Sequence, residues 1–473
     1  LGVKPLFYYY HQGMLAFASE IKALKLHPMV KSRLSLNDEA VAAFLQMGYI
    51  PQPHTIYNEI HKFPAGNFAV LESQLHFHKY WTFADQITPS LLMDEYEAEE
   101  KLETLLHSAI KYRLIADVPV GVFLSGGIDS SLVTALASKY HSGKIKSFTI
   151  GFKDGKFDES KHALKVAQHL NTEHHELIIE EKEVFENLDN IFDIYDEPFG
   201  DQSMLPSLAV CKLARAHVKV VLTGDGGDEF FYGYGAYTWA QRLQNPFFKQ
   251  SHFLLSKILS IMPARYKRVA ELLDYDGSTH MESHIHAKEN GYYSSKELKA
   301  LMHKSTSTFR PYTSHITARP LQAIEKQALF DAEVYLRDDL LVKMDRASMH
   351  HGLEAREPLL DFRIVELALN LDVGLKKRDH QSKYLLKKIL YKHVPQQLLE
   401  RPKWGFTIPL NAWLNKDLAY LKDEYLNKEI VALYGIVKFS KVQDLLKSYN
   451  HKPYQTQQVW ALILLHKWLK EQY

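Results

Sequence analysis

The chain has 473 residues, 46% apolar and 24% charged, enough for two domains with sizeable cores. Its 57 basic and 56 acidic side chains leave a net charge of +1, which argues against a nucleic-acid or membrane-surface footprint. The single cysteine, Cys211, excludes an internal disulfide framework and suits a reducing, cytoplasmic setting, and no stretch approaches the roughly 18 apolar residues of a membrane span.

The first residue is Leu rather than Met, which points to an upstream segment. Residues 6–10 and 14–18 read as strands joined by a His11-Gln12-Gly13 turn, and a helix follows from 19. Ser35 is the expected cap of a second helix ending at 47. Residues 67–71 and 75–80 read as a hairpin, and the polar stretch 86–90 as a linker. The pattern then changes to helix 96–113, strand 118–124, helix 132–140, strand 145–150, helix 159–170, strand 176–179, helix 205–217 and strand 218–222. Such alternation predicts an α/β fold with a doubly wound parallel sheet, whose ligands gather at the carboxyl ends of strands. From about residue 250 almost every segment reads as helical.

Ser125-Gly126-Gly127-Ile128-Asp129-Ser130-Ser131 lies between a strand and a helix. Two glycines let the backbone approach an anion closely, and the amides at the helix start point at it. The Ser125 and Ser130 hydroxyls add donors. Asp129 would repel a bare phosphate, so it fits best as a ligand of Mg²⁺ carried by that phosphate. No lysine follows the glycines, so this is not a Walker loop. The plain alternative is a Gly-Gly turn capped by Asp129 or Ser130. A second strand, 218–222, runs into Thr223-Gly224-Asp225-Gly226-Gly227-Asp228-Glu229. Two such loops at strand ends can bring Asp129 and Asp228 around one metal–pyrophosphate group, although Asp and Gly are also common in solvated turns. His174-His175 and His350-His351 have no HExxH or Cys/His cluster beside them and read as structural.

The first loop resembles the pyrophosphate loop of the ATP pyrophosphatase superfamily. Together the two loops resemble the Ser-Gly-Gly-Leu-Asp-Ser and Ser-Gly-Glu-Gly-x-Asp-Glu segments of glutamine-hydrolysing asparagine synthetases, with Ile128, Thr223 and Asp225 replacing Leu, Ser and Glu. The resemblance implies that Asp129 and Asp228 hold Mg²⁺. It also implies that Leu124, Ser125, Gly126, Gly127, Asp129, Ser130, Ile150, Thr223 and Gly224 bind ATP, with Ile150 against adenine. Asp225 takes the place of the Glu implicated in forming or consuming the acyl-adenylate, one methylene shorter. Residues 352–361 resemble the family's Glu-x-Arg-x-Pro-Phe-Leu-Asp segment, with Leu359 in place of Phe and an unusual Glu357. Most charges of 335–361 read as an ion-paired helix, with Arg356 the exception. Arg401-Pro402-Lys403-Trp404-Gly405-Phe406 is similar to a Lys-x-Gly-Phe-like segment whose Lys sits over the reacting phosphate, so Lys403 joins Asp225 as a catalytic residue.

Residues 1–8 and 17–24 resemble the late strands and first helix of class II glutaminase domains, whose N-terminal Cys nucleophile lies upstream. Cys211, in mid-helix, reads as a buried small hydrophobe. The resemblance implies an adenine nucleotide alpha hydrolase-like sheet with a helical C-terminal part over 95–473. Before it, 1–85 would be a remnant of an α+β N-terminal-nucleophile glutaminase domain. The implied reaction is ATP-dependent amidation of aspartate through β-aspartyl-AMP, with ammonia supplied from glutamine. ATP and Mg²⁺ are expected, with small-molecule substrates, no nucleic acid, no membrane, and a homodimer as the assembly. The alternatives are the same chemistry on a sugar acid or β-lactam precursor, a tRNA-modifying pyrophosphatase, and an inert truncated nucleotide binder.

Overall fold

Aromatic alternation builds the first strands. In this computed structural model, which describes residues 1–152, 158–179, 185, 187–277, 279–304, 318–400 and 408–473, β1 (Phe7–His11) pairs antiparallel with β2 (Met14–Ala18). On its other side β1 pairs with β3 (Ile60–Lys62), and β4 (Asn67–Leu71) with β5 (Leu75–Lys79) form a separate hairpin. Helix α1 (Ile21–Lys25) follows β2. After a single helical turn at Pro28–Lys31, α2 (Asp38–Met47) starts later than expected. Its cap is Asn37, whose Oδ1 accepts from the Glu39 and Ala40 amides at 3.1 Å. Ser35 is held instead by Glu59, its Oγ donating to Oε1 at 2.6 Å. Asn caps as well as Ser, so the neighbouring carboxylate decides between them.

Helix α3 (Glu95–Leu114) is capped by Asp94 and leads into the central sheet. Strands β6 (Val120–Phe123), β7 (Lys146–Phe152) and β9 (Val220–Leu222) are largely buried, and β8 (Glu173–Ile179), polar at its start, lies at the edge. A fifth strand, β10 (Glu354–Arg356), lies in the stretch read as helical. The order is β10-β9-β6-β7-β8 and every pair is parallel. The chain moves outward from β6 to β8, then crosses back to β9. The order therefore reverses between β6 and β9, the kind of point at which open α/β sheets bind ligands.

Helices cover both faces, and period-two alternation sorts the strand side chains between them. Val220 and Leu222 face one core with α3, α4 (Ile128–Tyr140) and, much later in the chain, residues 385–390. Val221 faces the other core with α6 (Met204–Arg215), where Cys211 is fully buried; α5 (Ser160–His169) lies along β7 and β8. Further along come α7 (Leu341–His350), α8 (Tyr384–Leu390) and α9 (Thr456–Gln472). Trp460, Leu464 and Trp468 of α9 share one core with Phe7, Phe44 and Ile60; α2 packs against α9, and the Tyr57 ring lies 5.7 Å from that of Trp468. Among the described residues no helix is long and apolar enough to cross a membrane.

The segment 196–201 ties these parts together. Asp196 accepts from the Ile21 amide at 2.8 Å and its carbonyl from Trp468 Nε1 at 2.9 Å. Glu197 accepts from the Ile56 amide at 3.1 Å and pairs with Lys62 at 3.1 Å. The Gly200 amide donates to the Gly48 carbonyl at 2.6 Å. Gly48 ends α2 with φ of +90°, and a Cβ there would overlap the Tyr292 hydroxyl. Gly13 also has positive φ, +80°, but stands in open space. Gly13→Ala should therefore cost about 1 kcal/mol, the backbone penalty alone. Gly48→Ala should cost at least about 3 kcal/mol, because overpacking adds to it. Denaturant melts of both variants measure the difference, and equal losses would show that the seam tolerates displacement.

Candidate active site

The first glycine loop is organised by its own hydroxyls. Leu124 is buried at the end of β6, and its amide donates to the Phe148 carbonyl at 2.9 Å. Ser125 and Ser130 hydroxyls lie 2.9 Å apart, and the Gly127 amide donates to Ser125 Oγ at 3.2 Å. Gly126 has φ of +73°, and a Cβ there would stand 2.8 Å from the Ala163 amide of α5. Only glycine satisfies both demands. Helix α4 begins at Ile128, four residues before the expected start, so Asp129 and Ser130 sit in its first turn. Gly127, its N-cap, has no side chain to satisfy the first amides, which suits an anion at the positive end of the helix dipole.

The second loop lies directly against the first. A Cβ on Gly224 would come within 2.9 Å of the Ser130 amide, and one on Gly227 would collide with the Asp129 carboxylate. The second loop thus meets the first with no side chain of its own at Gly224 and Gly227, and Asp129 and Asp228 converge. What they converge on is Lys383, the residue before α8. Its ammonium pairs with Asp129 and, at 2.6 Å, with Asp228. Burial alone would lower the Lys383 pKa, but the two carboxylates outweigh it and hold the ammonium well above the usual lysine range.

Lys383 was not among the residues singled out from sequence. One signal was available. A lysine caps α8, a position that favours Ser, Thr, Asp or Asn. It also has left-handed backbone, φ +59°.

The other site residues fall around this centre. Asp225 Oδ2 accepts from Thr223 Oγ1 at 2.8 Å. Burial pushes the Asp225 carboxyl above the usual range, while the Thr223 hydroxyl and Lys343 pull it back. Lys343 is bound by Asp201 and Ser203, both at 2.7 Å. Glu229 is driven up to about 8 by burial and by Asp228, and accepts from the Tyr234 hydroxyl. Ile150, buried on β7, is part of the core. Arg356 has a structural position. It pairs with Glu354 at 2.7 Å and donates to the Arg113 and Ile115 carbonyls at the end of α3. Lys403 and the rest of 401–407 lie outside the described residues. His174 Nδ1 bonds the Ser147 hydroxyl and His175 stacks on Phe148, which agrees with a structural reading.

The donor set fits a magnesium ion better than a protein-enclosed metal. Among the described residues no group of three or more His, Cys, Asp or Glu could hold a metal by itself. Two carboxylates that already share one cationic group are the usual protein contribution to Mg²⁺, which takes its remaining ligands from water and phosphate.

Two glycine- and aspartate-rich loops at the switch point of a parallel sheet define an α/β site shaped for a phosphate-bearing ligand. Comparison with known proteins agrees. Residues 101–470 match the asparagine synthase family and residues 1–81 the glutamine amidotransferase domain. The chain therefore belongs to the asparagine synthase family, ATP-dependent ligases that use glutamine as amido donor. It is 28% identical over 475 residues to the glutamine-hydrolysing asparagine synthetase 1 of Bacillus subtilis, covering 99% of this chain and 73% of that protein. A Mycobacterium bovis protein named for the same activity is 31% identical over 429 residues, 87% of this chain and 64% of its own length. The amidase chry2 of Gibberella zeae is 24% identical, over 94% of this chain and 72% of that protein.

Lys383→Met would leave two carboxylates facing each other in a buried gap. The variant should lose roughly 3 kcal/mol of stability in a chelator, the usual cost of stripping one partner from a buried pair. Added Mg²⁺ should then raise its melting temperature more than that of the parent. Equal Mg²⁺ responses would show that Asp129 and Asp228 do not meet at one cation position.

Proposed function

We propose that this chain makes asparagine from aspartate, ATP and ammonia through β-aspartyl-AMP, releasing AMP and pyrophosphate. The observation that carries the reading is the convergence of Asp129 and Asp228 on one cationic position beside an amide-lined helix start. In this reading Ser125, Gly126, Gly127 and Ser130 hold the departing pyrophosphate, and Thr223 and Gly224 face the nucleotide. Leu124 and Ile150 line the adenine side. Asp129 and Asp228 would hold Mg²⁺, which supplies neutralisation of the charge that builds as pyrophosphate leaves. Lys383, whose ammonium pairs with the same two carboxylates, would yield that position to the ion and remain as a neighbouring positive charge, and Lys403 is assigned to the reacting phosphate. Asp225 takes a proton from ammonia as the amide forms.

The sheet and its helices are read as an adenine nucleotide alpha hydrolase-like domain over 95–473. Residues 1–85 are read as the end of an N-terminal-nucleophile glutaminase domain that delivers ammonia from glutamine. A homodimer and a cytoplasmic setting complete the proposal. Similarity to a protein named as an amidase supports a second reading, the same activation applied to another carboxylate.

Two measurements test this. Aspartate should drive exchange of labelled pyrophosphate into ATP, and aspartate with ammonia should yield AMP and asparagine. ADP as the nucleotide product would reject the chemistry; exchange driven only by a different carboxylic acid would favour the second reading. Asp129→Asn and Asp228→Asn should each slow exchange by at least about 10²-fold, the scale of losing a main electrostatic contact to the transition state.

A further inference from the structure

The turns that carry Asp225 and Glu357 leave neighbouring parallel strands, with Glu357 following Arg356 abreast of Thr223. In the parallel pair β9 and β10, Arg356 stands opposite Leu222, and the Thr223 amide donates to the Arg356 carbonyl at 2.9 Å. Beyond these residues the two turns are pressed together. Gly226 has φ of +97°, and a Cβ there would run into the Leu360 side chain. Glu357 is only 6% exposed, an environment that disfavours a lone carboxylate.

The groups facing this pair come from three segments: residue 4, residues 343–345 and the second loop itself. Glu357 faces Asp225, Lys4 and Asp345; Asp225 faces Lys343 and Asp228, with the Thr223 hydroxyl bonded to it. Both lysines have acidic partners elsewhere, Lys4 with Asp345 at 3.0 Å and Lys343 with Asp201 at 2.7 Å. Burial first, and Asp225 second, push the Glu357 carboxyl up to about 8. The buried Glu357 carboxyl and the half-buried Asp225 carboxyl near it do not both ionise at neutral pH.

The resemblance noted in the sequence sets a Glu, one methylene longer, against Asp225, and marks Glu357 as unusual in its segment.

We infer that Asp225 and Glu357 act as one carboxylate pair in the amide-forming step, with Glu357 a positioning residue that works through Asp225. The inference rests on the reaction proposed above. In that step the ammonia lone pair forms the C–N bond at the acyl carbon. The bond from that carbon to the AMP oxygen breaks, and its electron pair leaves on AMP. One N–H proton passes to Asp225. While Glu357 keeps its proton, the pair carries one negative charge and Asp225 is the acceptor. When Glu357 ionises, a second charge repels the first and the acceptor changes.

The test separates the two half-reactions. Amide formation, expressed per free ammonia, should inflect near the pH of about 8 at which Glu357 ionises. Glu357→Gln cannot ionise and should abolish that inflection while aspartate-dependent pyrophosphate exchange stays within about twofold. Glu357→Ala should slow amide formation about tenfold, and Asp225→Glu added to it should recover most of the loss by restoring reach. An inflection that survives in Glu357→Gln overturns the inference. So does a parallel loss of both half-reactions, which would make Glu357 structural, or a double variant no faster than Glu357→Ala. If the parent chain shows no aspartate-dependent exchange, the proposed reaction itself fails; if exchange is present and the pH profile does not move, only the pairing fails.

Discussion

Everything at this site depends on the second loop presenting bare backbone to the first at Gly224 and Gly227. The sheet brings the ends of β6 and β9 together at its switch point, but strand spacing alone leaves room for side chains on the loops that follow. Glycine removes them. At Gly224 a Cβ would stand 2.9 Å from the Ser130 amide, and at Gly227 it would meet the Asp129 carboxylate. The glycines thus serve proximity first and turn geometry second. With them the start of α4 and the second loop form one wall, and Asp129 and Asp228 are brought to the same cation. Had either glycine carried a side chain, the carboxylates would be held apart and the amides screened.

The electrostatics follow the same division between structure and chemistry. Several buried charges are matched to partners: Lys62 to Glu197 at 3.1 Å, Lys343 to Asp201 at 2.7 Å, and Arg319 to Glu325 at 2.7 Å. Such pairs add little net stability, because desolvation offsets most of the attraction, but they are costly to break. Near the loops the balance differs. Asp225, Glu229 and Glu357 all sit where burial raises their carboxyl pKa, and Asp228 or Asp225 adds repulsion. Crowding acids in this way is unfavourable for folding, and perturbed acids of this kind concentrate at functional sites.

Much of this arrangement was legible in the chain. The strands at 120–123 and 220–222 and both glycine loops could be placed because continuous apolar runs ending in Gly and Asp have few other meanings. What escaped was decided by tertiary contact. Three residues, Glu354-Ala355-Arg356, are too short to show a strand period, and become one only by pairing with Val220, Val221 and Leu222. Ser35 lost its capping role to Asn37 because Glu59, distant in sequence, claims its hydroxyl. Lys383 lies 254 residues from Asp129, a separation no local pattern encodes.

Lys383 also shows how strain can mark what periodicity hides. Its backbone is left-handed at φ +59°, which costs a non-glycine residue about 1–2 kcal/mol. It caps a helix without the oxygen that a good cap offers its amides. Glycine would relieve the first fault and asparagine most of both. Neither could reach Asp129 and Asp228 with a positive charge. The Lys383 amide donates to the Phe231 carbonyl at 2.9 Å, just past the second loop, so the strained turn is fastened to the loop it neutralises. The residue type at this position is therefore set by the two carboxylates and not by the helix it begins.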